Sequence, residues 1–303
     1  MNLECPFHAS EVLQIGRGCS KCDFKIESFN ANGIRFQRFI EKEGIHDSYE
    51  CAYEELAKDD LDNSVYSNEY QEDLAIETFS HIGNVDGLDV AELGVGQGFL
   101  LKCLLESSPK SLLSLDIAKR YVNNANNIYS NSGNKSTTFN TSVGNVEFMP
   151  YRECFDLVIA TDILEHVLNL GNAISRIMRS LKSGGKFICR VPNKETLGQY
   201  SCYNGQKYEF AHLRFFDSKS LKSQLQEVGF FHPKIFHFGY QPQRFKFISP
   251  KGLMAKALAK SIDIFGFYGK EWFYFNRLSR SFFMKPLRIL HEPMELLVII
   301  KKP

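Results

Sequence analysis

Apolar positions along this chain of 303 residues fall into two rhythms. Short apolar runs of strand length recur at Leu88–Leu93, Leu113–Asp116, Phe155–Thr161, Lys186–Val191, Lys234–Tyr240 and Glu295–Lys301, and the polar run Ser136–Ser142 reads as a further strand. Between most of them the spacing turns helical: Phe99, Leu100, Leu101, Leu104 and Leu105, then Ala118–Ser130, then Ala173, Ile174, Ile177, Met178 and Leu181, then Leu221, Leu225 and Val228. An earlier helix is predicted from Tyr66 to Ile82 on Leu74, Ala75, Thr78, Phe79 and Ile82. Gly184-Gly185 reads as a C-terminal cap and Asp217 or Ser218 as an N-terminal one. Strands alternating with helices point to an α/β fold.

The first of these strands runs straight into Gly94-x-Gly96-x-Gly98 and a helix, the outline of a ligand-binding loop. Glycines there let the backbone turn sharply and let a ligand lie on main-chain N–H groups at a helix start. A dinucleotide loop would need a small third residue at position 99, which is Phe99. What stands instead is Glu92-x-Gly94-x-Gly96-x-Gly98, followed by a strand closing on Asp116.

On these residues the chain resembles the class I S-adenosylmethionine (SAM)-dependent methyltransferases. The resemblance covers about residues 64 to 240 and the last strand. It implies a Rossmann-like, doubly wound sheet of seven strands, the last antiparallel beside the sixth. It also implies a cofactor site of Tyr70, Glu92, Gly94, Gly96, Gly98, Asp116, Ile117, Asn145, Val146, Thr161 and Asp162. In the family the glycine loop lies against the methionine and ribose, and the acid at Asp116 takes both ribose hydroxyls. Asn145 stands where the family has an acid for the adenine amine; its amide oxygen can still accept, the alternative being a turn Asn. Tyr66 or Tyr70 would close over the cofactor, or simply pack.

Asp162-x-Leu-Glu165-His166-Val resembles the ubiquinone-pathway and sugar-type members. In a doubly wound sheet this segment falls beside the glycine loop, at the switch point. His166, near a helix start whose dipole disfavours imidazolium, is expected to be a neutral base or a packed residue. His212 and Arg214, in a stretch like the H-L-R-x-F segment of surface-glycan and secondary-metabolism methyltransferases, are expected to orient the acceptor.

Ahead of all this, Cys5-x2-His8 and Cys19-x2-Cys22 are two chelating knuckles, the ligand set of a structural zinc. The stretch resembles the zinc ribbons placed before some bacterial methyltransferases; the alternative is a surface histidine and reduced thiols. The expected organisation is a ribbon at 1–36, a linker helix at 37–63 and a methyltransferase domain at 64–303, with a helical insertion at 241–294.

Charge refines the expected partners. Net charge is only +1, which tells against a nucleic-acid binder, including the ribosomal-RNA methyltransferases that also carry a ribbon. A non-catalytic SAM-fold partner protein is a further alternative, which the intact glycines and Asp116 oppose. The insertion is unlike the rest: ten Lys or Arg against three Asp or Glu, and eleven aromatics. That composition suits either a lid over a small-molecule or glycan acceptor, or peripheral contact with an anionic membrane presenting a lipid-linked acceptor. No apolar run reaches bilayer length and the first residues lack a secretory pattern, so the expected location is cytoplasmic, with possible peripheral contact at the inner membrane face.

Overall fold

The computed structural model describes residues 2–31, 34–40, 45–63, 68–194, 212–245 and 291–303. The chain divides into two compact units, Met1–Ile235 with Leu297–Pro303, and Phe236–Leu296. In chain order the elements are β1 (Lys25–Ala31), β2 (Ile34–Ile40), α1 (Ile45–Asn63), α2 (Asn68–Ile82), β3 (Asp89–Leu93), α3 (Phe99–Glu106), β4 (Ser111–Asp116) and α4 (Lys119–Ser132). There follow β5 (Thr138–Val143), β6 (Phe155–Thr161), α5 (Leu170–Ser180), β7 (Leu181–Pro192), α6 (Ser218–Glu227), β8 (Lys234–Phe245) and β9 (His291–Lys301).

In the first unit the strand order is β1-β2-β5-β4-β3-β6-β7, followed by the Leu297–Lys301 end of β9. Neighbours from β5 to β7 all pair in parallel. The order reverses between β3 and β6, which places a ligand crevice beyond their carboxyl ends. Val90, Ala91, Leu93, Leu112, Leu113, Leu115 and Leu157–Ala160 are buried. Such near-continuous burial is what a parallel sheet covered on both faces requires. Leu100, Leu101, Leu104 and Leu105 of α3, with Ala173, Ile174 and Ile177 of α5, are buried as the helical spacing predicts. Each buried Leu or Ile side chain contributes roughly 1.5–3 kcal/mol. In the second unit the described residues are Phe236–Phe245 of β8 and His291–Leu296 of β9, which are neighbours.

Three local expectations change. The ribbon hairpin continues through Ile40, past the expected boundary at 36, and its β2 pairs in parallel with β5, Gln37 with Ser142 and Arg38 with Val143. The ribbon therefore extends the sheet beyond seven strands. Helix α5 stops at Ser180 instead of running to Gly184-Gly185. Its last carbonyls are closed from outside, by Glu153 N–H on Arg179 and Cys154 N–H on Ser180, both at 2.8 Å. Gly184, at φ 72°, then serves an irregularity in β7 where the pairing shifts from Phe155↔Leu181 to Leu157↔Lys186. The insertion is shorter than 241–294, because β8 and β9 run into it from both ends; residues 246–290 lie outside the described ones. Asp217 caps α6 as expected, in a capping box with Ser220. Among the described residues no helix is long and apolar enough to cross a membrane.

Candidate active site

The loop from β3 to α3 turns through three left-handed glycines, Gly94 at φ 71°, Gly96 at 49° and Gly98 at 81°. Two of them are also held by space. A Cβ on Gly94 would stand 2.1 Å from Ile163 Cδ1, and one on Gly98 2.4 Å from Ile128 Cδ1. Gly96 differs: among the described residues nothing lies within 4 Å of where its Cβ would stand. Gly98 is the N-cap of α3 and, among the described residues, no side chain caps that end, which suits its first N–H groups to a ligand.

Asp116 ends β4 beside this loop. Its Oδ2 accepts from Gly96 N–H at 3.1 Å and its Oδ1 from Ala118 N–H at 2.9 Å. Burial pushes its carboxyl up to about 6, against the lowering effect of those N–H groups and of Ile117 N–H. Glu92 lies deeper, accepting from Ser114 Oγ at 3.1 Å. Burial, with the Asp116 charge adding to it, pushes this carboxyl up to about 8. Asn145 precedes a single helical turn at Val146–Phe148 and accepts from Glu147 N–H at 2.9 Å; Val146 is buried. Asp116 and Asn145 thus lie at the carboxyl ends of β4 and β5, on one side of the switch point. Tyr66 and the side chain of Tyr70 lie outside the described residues.

Across the switch point the segment after β6 makes a tight turn. Thr161 ends the strand, and Asp162, at φ 54°, pairs both carboxylate oxygens with the buried Arg190, which also donates to Thr78 Oγ1 at 3.0 Å. The Asp162 side chain therefore holds the sheet end together through Arg190. Helix α5 begins only at Leu170, so His166 sits in a turn four residues ahead of it. The helix dipole fades within one turn, and His166 lies farther from the helix start than the sequence suggests. Glu165 is fully buried, and its carbonyl accepts from Leu213 N–H at 2.9 Å, which brings His212 alongside. The His166 and His212 rings stand 4.6 Å apart and nearly perpendicular. One ligand-type atom from each of Glu165, His166 and His212 lies within 4.8 Å of the others. Arg214 donates to the carbonyls of Val167 and of Leu168, the latter at 2.7 Å. Its guanidinium supports the loop carrying His166, where the sequence reading has it facing the acceptor.

Residues 91–189 match a family model described as a methyltransferase domain. The stretch from β3 to β7 is therefore a methyltransferase domain. The chain is 27% identical to the biotin biosynthesis bifunctional protein BioHC of Teredinibacter turnerae over 52% of its own length and 29% of that protein. To the mitochondrial ubiquinone biosynthesis O-methyltransferase of Dictyostelium discoideum it is 27% identical, over 42% of each chain. It thus spans less than half the length of the curated relatives it matches. Among solved structures, that of the Haloferax volcanii Trm112 methyltransferase activator with a methyltransferase shares the fold, at a TM-score of 0.54 and 15% identity over 86% of this chain and 98% of that one.

Sequence reasoning missed the part α1 plays at this site. Read as a linker with a solvated face, the helix instead sits over the loop that carries His166. Tyr49 donates to the His166 carbonyl, and the Tyr53 ring meets the His166 ring edge-on at 5.8 Å. Asp60 of the same helix accepts from Tyr121 at 2.8 Å, and its carbonyl takes the Gln97 amide at 3.2 Å. The signal was present as Tyr49, Tyr53, Ala57 and Asp60, spaced along one helical face.

The buried Glu92 makes stability pH-dependent. Its folded value of about 8 lies above the ordinary range, so the stability linked to the protonated form is complete below that range and is lost as pH rises toward 8. Glu92→Gln, which keeps the shape without the charge, is expected to gain on the parent by a few kcal/mol between pH 5 and 8.5 in the absence of ligand. Denaturant unfolding across that range checks this; parallel curves for both proteins would refute it.

At the other end of the chain Cys5 Sγ lies 3.5 Å from Cys22 Sγ and 3.7 Å from His8 Nδ1, and Cys19 Sγ lies 3.6 Å from His8 Nδ1. All four ligand atoms fall within 4.8 Å of one another. Thiolates bound to zinc at about 2.3 Å in a tetrahedron are separated by roughly 3.8 Å, so the set is already at the spacing of a four-ligand site.

Proposed function

We propose that this chain transfers a methyl group from SAM to a hydroxyl oxygen of a small-molecule acceptor in surface-glycan or secondary-metabolite biosynthesis, with a structural zinc closing its ribbon. The observation that carries the reading is the meeting of two groups at one sheet end: the left-handed glycine loop with Asp116, and the cluster of Glu165, His166 and His212. Gly94, Gly96, Gly98 and Asp116 would hold the cofactor, with Asn145 and Val146 on the adenine side. When bound, SAM supplies a methyl group on an electrophilic sulfonium. What the chain adds is alignment and proton handling. An imidazole nitrogen of His166 would take the proton of the acceptor hydroxyl, and His212, its ring 4.6 Å away, would share that proton. Tyr49 and Arg214 fix the loop in which His166 sits. A ubiquinone O-methyltransferase among the relatives supports an oxygen acceptor. The segment between β8 and β9, with its basic and aromatic composition, would select the acceptor, and suits one that is anionic or lipid-linked.

Incubation with a metabolite or glycan extract and methyl-labelled SAM, followed by mass spectrometry, tests the activity. Label in a small molecule or glycan is expected, and His166→Ala should slow transfer roughly 10²- to 10⁴-fold with cofactor affinity retained. Label confined to RNA would overturn the acceptor class. Elemental analysis should find about one zinc per chain, lost in a Cys19→Ser, Cys22→Ser double variant. Full retention of metal in that variant would refute the zinc site.

A further inference from the structure

The knuckle that carries Cys5 and His8 is also the segment through which the ribbon grips the catalytic sheet. On one side of Cys5, Glu4 N–H donates to the Pro150 carbonyl at 2.7 Å, and the buried Glu4 carboxylate accepts from Arg179 at 2.5 and 2.7 Å and from Arg176 at 3.1 Å. On the other side, the Pro6 carbonyl accepts from Arg176 at 2.8 Å, and the Phe7 ring packs on Phe148 at 5.4 Å. Leu3 bridges Tyr151. From the hairpin, the Phe39 ring occupies the space a Cβ on Gly144 would need, with its Cδ2 at 2.4 Å from that point, and meets the Tyr151 ring at 6.0 Å.

All of these contacts fall on one stretch, 144–152, or on the helix α5 behind it. That stretch serves both halves of the proposed site. Gly144 N–H donates to the Asp116 carbonyl at 2.9 Å, and Asn145 and Val146 follow on the adenine side. The Glu147 carboxylate then accepts from Leu168 N–H at 2.8 Å and Asn169 N–H at 3.0 Å, which fixes the loop behind His166. A buttress that touches the cofactor edge and the acceptor loop through one segment can set the order of both.

We propose that metal occupancy of the ribbon controls cofactor affinity: with Cys5, His8, Cys19 and Cys22 joined on one zinc, the knuckle holds 144–152 in its binding conformation, and without the metal that stretch loosens. This rests on the cofactor reading given above. Coupling of this kind is reciprocal, so the cofactor must also retain the metal. The chemistry is that of a thiolate-rich divalent site acting as a built-in effector, distinct from the reacting groups.

The test uses the full chain, zinc and S-adenosylhomocysteine (SAH). Calorimetry should show SAH affinity falling at least tenfold when zinc is stripped by a chelator and returning when zinc is restored. In the loaded protein, saturating SAH should slow zinc release to a chromogenic chelator by a comparable factor. Phe7→Ala with Phe39→Ala, which leaves the four ligands in place, should keep the zinc but shrink that slowing. Equal SAH affinity with and without zinc in a folded chain overturns the proposal. If the stripped chain unfolds, the release arm decides: slowing that is absent, or undiminished in the double variant, overturns it. Failure of the zinc-loaded protein to bind SAH at all would instead overturn the cofactor reading.

Discussion

Asp116→Ala is expected to weaken SAH binding by roughly 1–3 kcal/mol, about ten- to a hundredfold, the scale of losing hydrogen bonds to a charged acceptor. The expectation rests on the place of Asp116 at the end of β4, where its two oxygens already take Gly96 and Ala118 N–H groups. It carries a pH signature. Burial raises the free carboxyl to about 6, so below that pH the unliganded protein holds a neutral acid, a poorer acceptor for ribose hydroxyls. SAH affinity should therefore fall as pH drops below 6, approaching tenfold per unit, and the dependence should vanish in Asp116→Asn. Calorimetry from pH 5 to 8 measures both; unchanged affinity in the alanine variant would remove Asp116 from the site.

Glu4→Ala is expected to destabilise the folded chain by about 3–5 kcal/mol, with a fall in Tm on the order of 10 °C. Glu4 is only 2% exposed and lies against Arg176, Arg179 and Arg152. Removing it leaves the buried Arg176 beside a second guanidinium with no carboxylate between them. Burial alone would raise the Glu4 carboxyl, but the Arg179 hydrogen bond and the three positive charges outweigh it and hold the group below its ordinary range. A depressed carboxylate contributes stability above its unfolded value and loses it as pH falls through the folded one. The gap between parent and Glu4→Ala should therefore narrow in acid. A thermal melt series at pH 7 and pH 3.5 decides the matter; no loss at pH 7 would mean the network is an ornament of the surface.

The glycine loop and Asp116 were readable from the sequence because the chemistry there is local. Three glycines at fixed spacing, and an acid at a strand end, state their own geometry. The capping of α6 by Asp217 was readable for the same reason. What escaped depends on partners distant in sequence. Nothing near Glu4 announces Arg176 and Arg179, and nothing near Arg214 announces that its guanidinium meets the carbonyls of Val167 and Leu168. The end of α5 was misplaced because Glu153 and Cys154 supply N–H groups from the loop ahead of β6. Tyr49 and Tyr53 showed their common face in the sequence, but not that His166 would lie beneath it. Residues 246–290, which hold most of the basic and aromatic insertion, fall outside what the structure describes.

The pairing of β2 with β5 has a consequence for handling the protein in the cell. In a sheet without the hairpin, β5 would be an outermost strand, and its sequence, Thr-Phe-Asn-Thr-Ser-Val, carries no charge to repel a neighbour. Open strands of that composition recruit one another, chain to chain, into aggregates. The hairpin pairs with Ser142 and Val143 of that strand and makes β1, with Lys25 and Glu27, the border strand on this side. A chain cut before residue 45 would bare the sticky side of the sheet, so the small N-terminal piece also guards the larger one against its own copies.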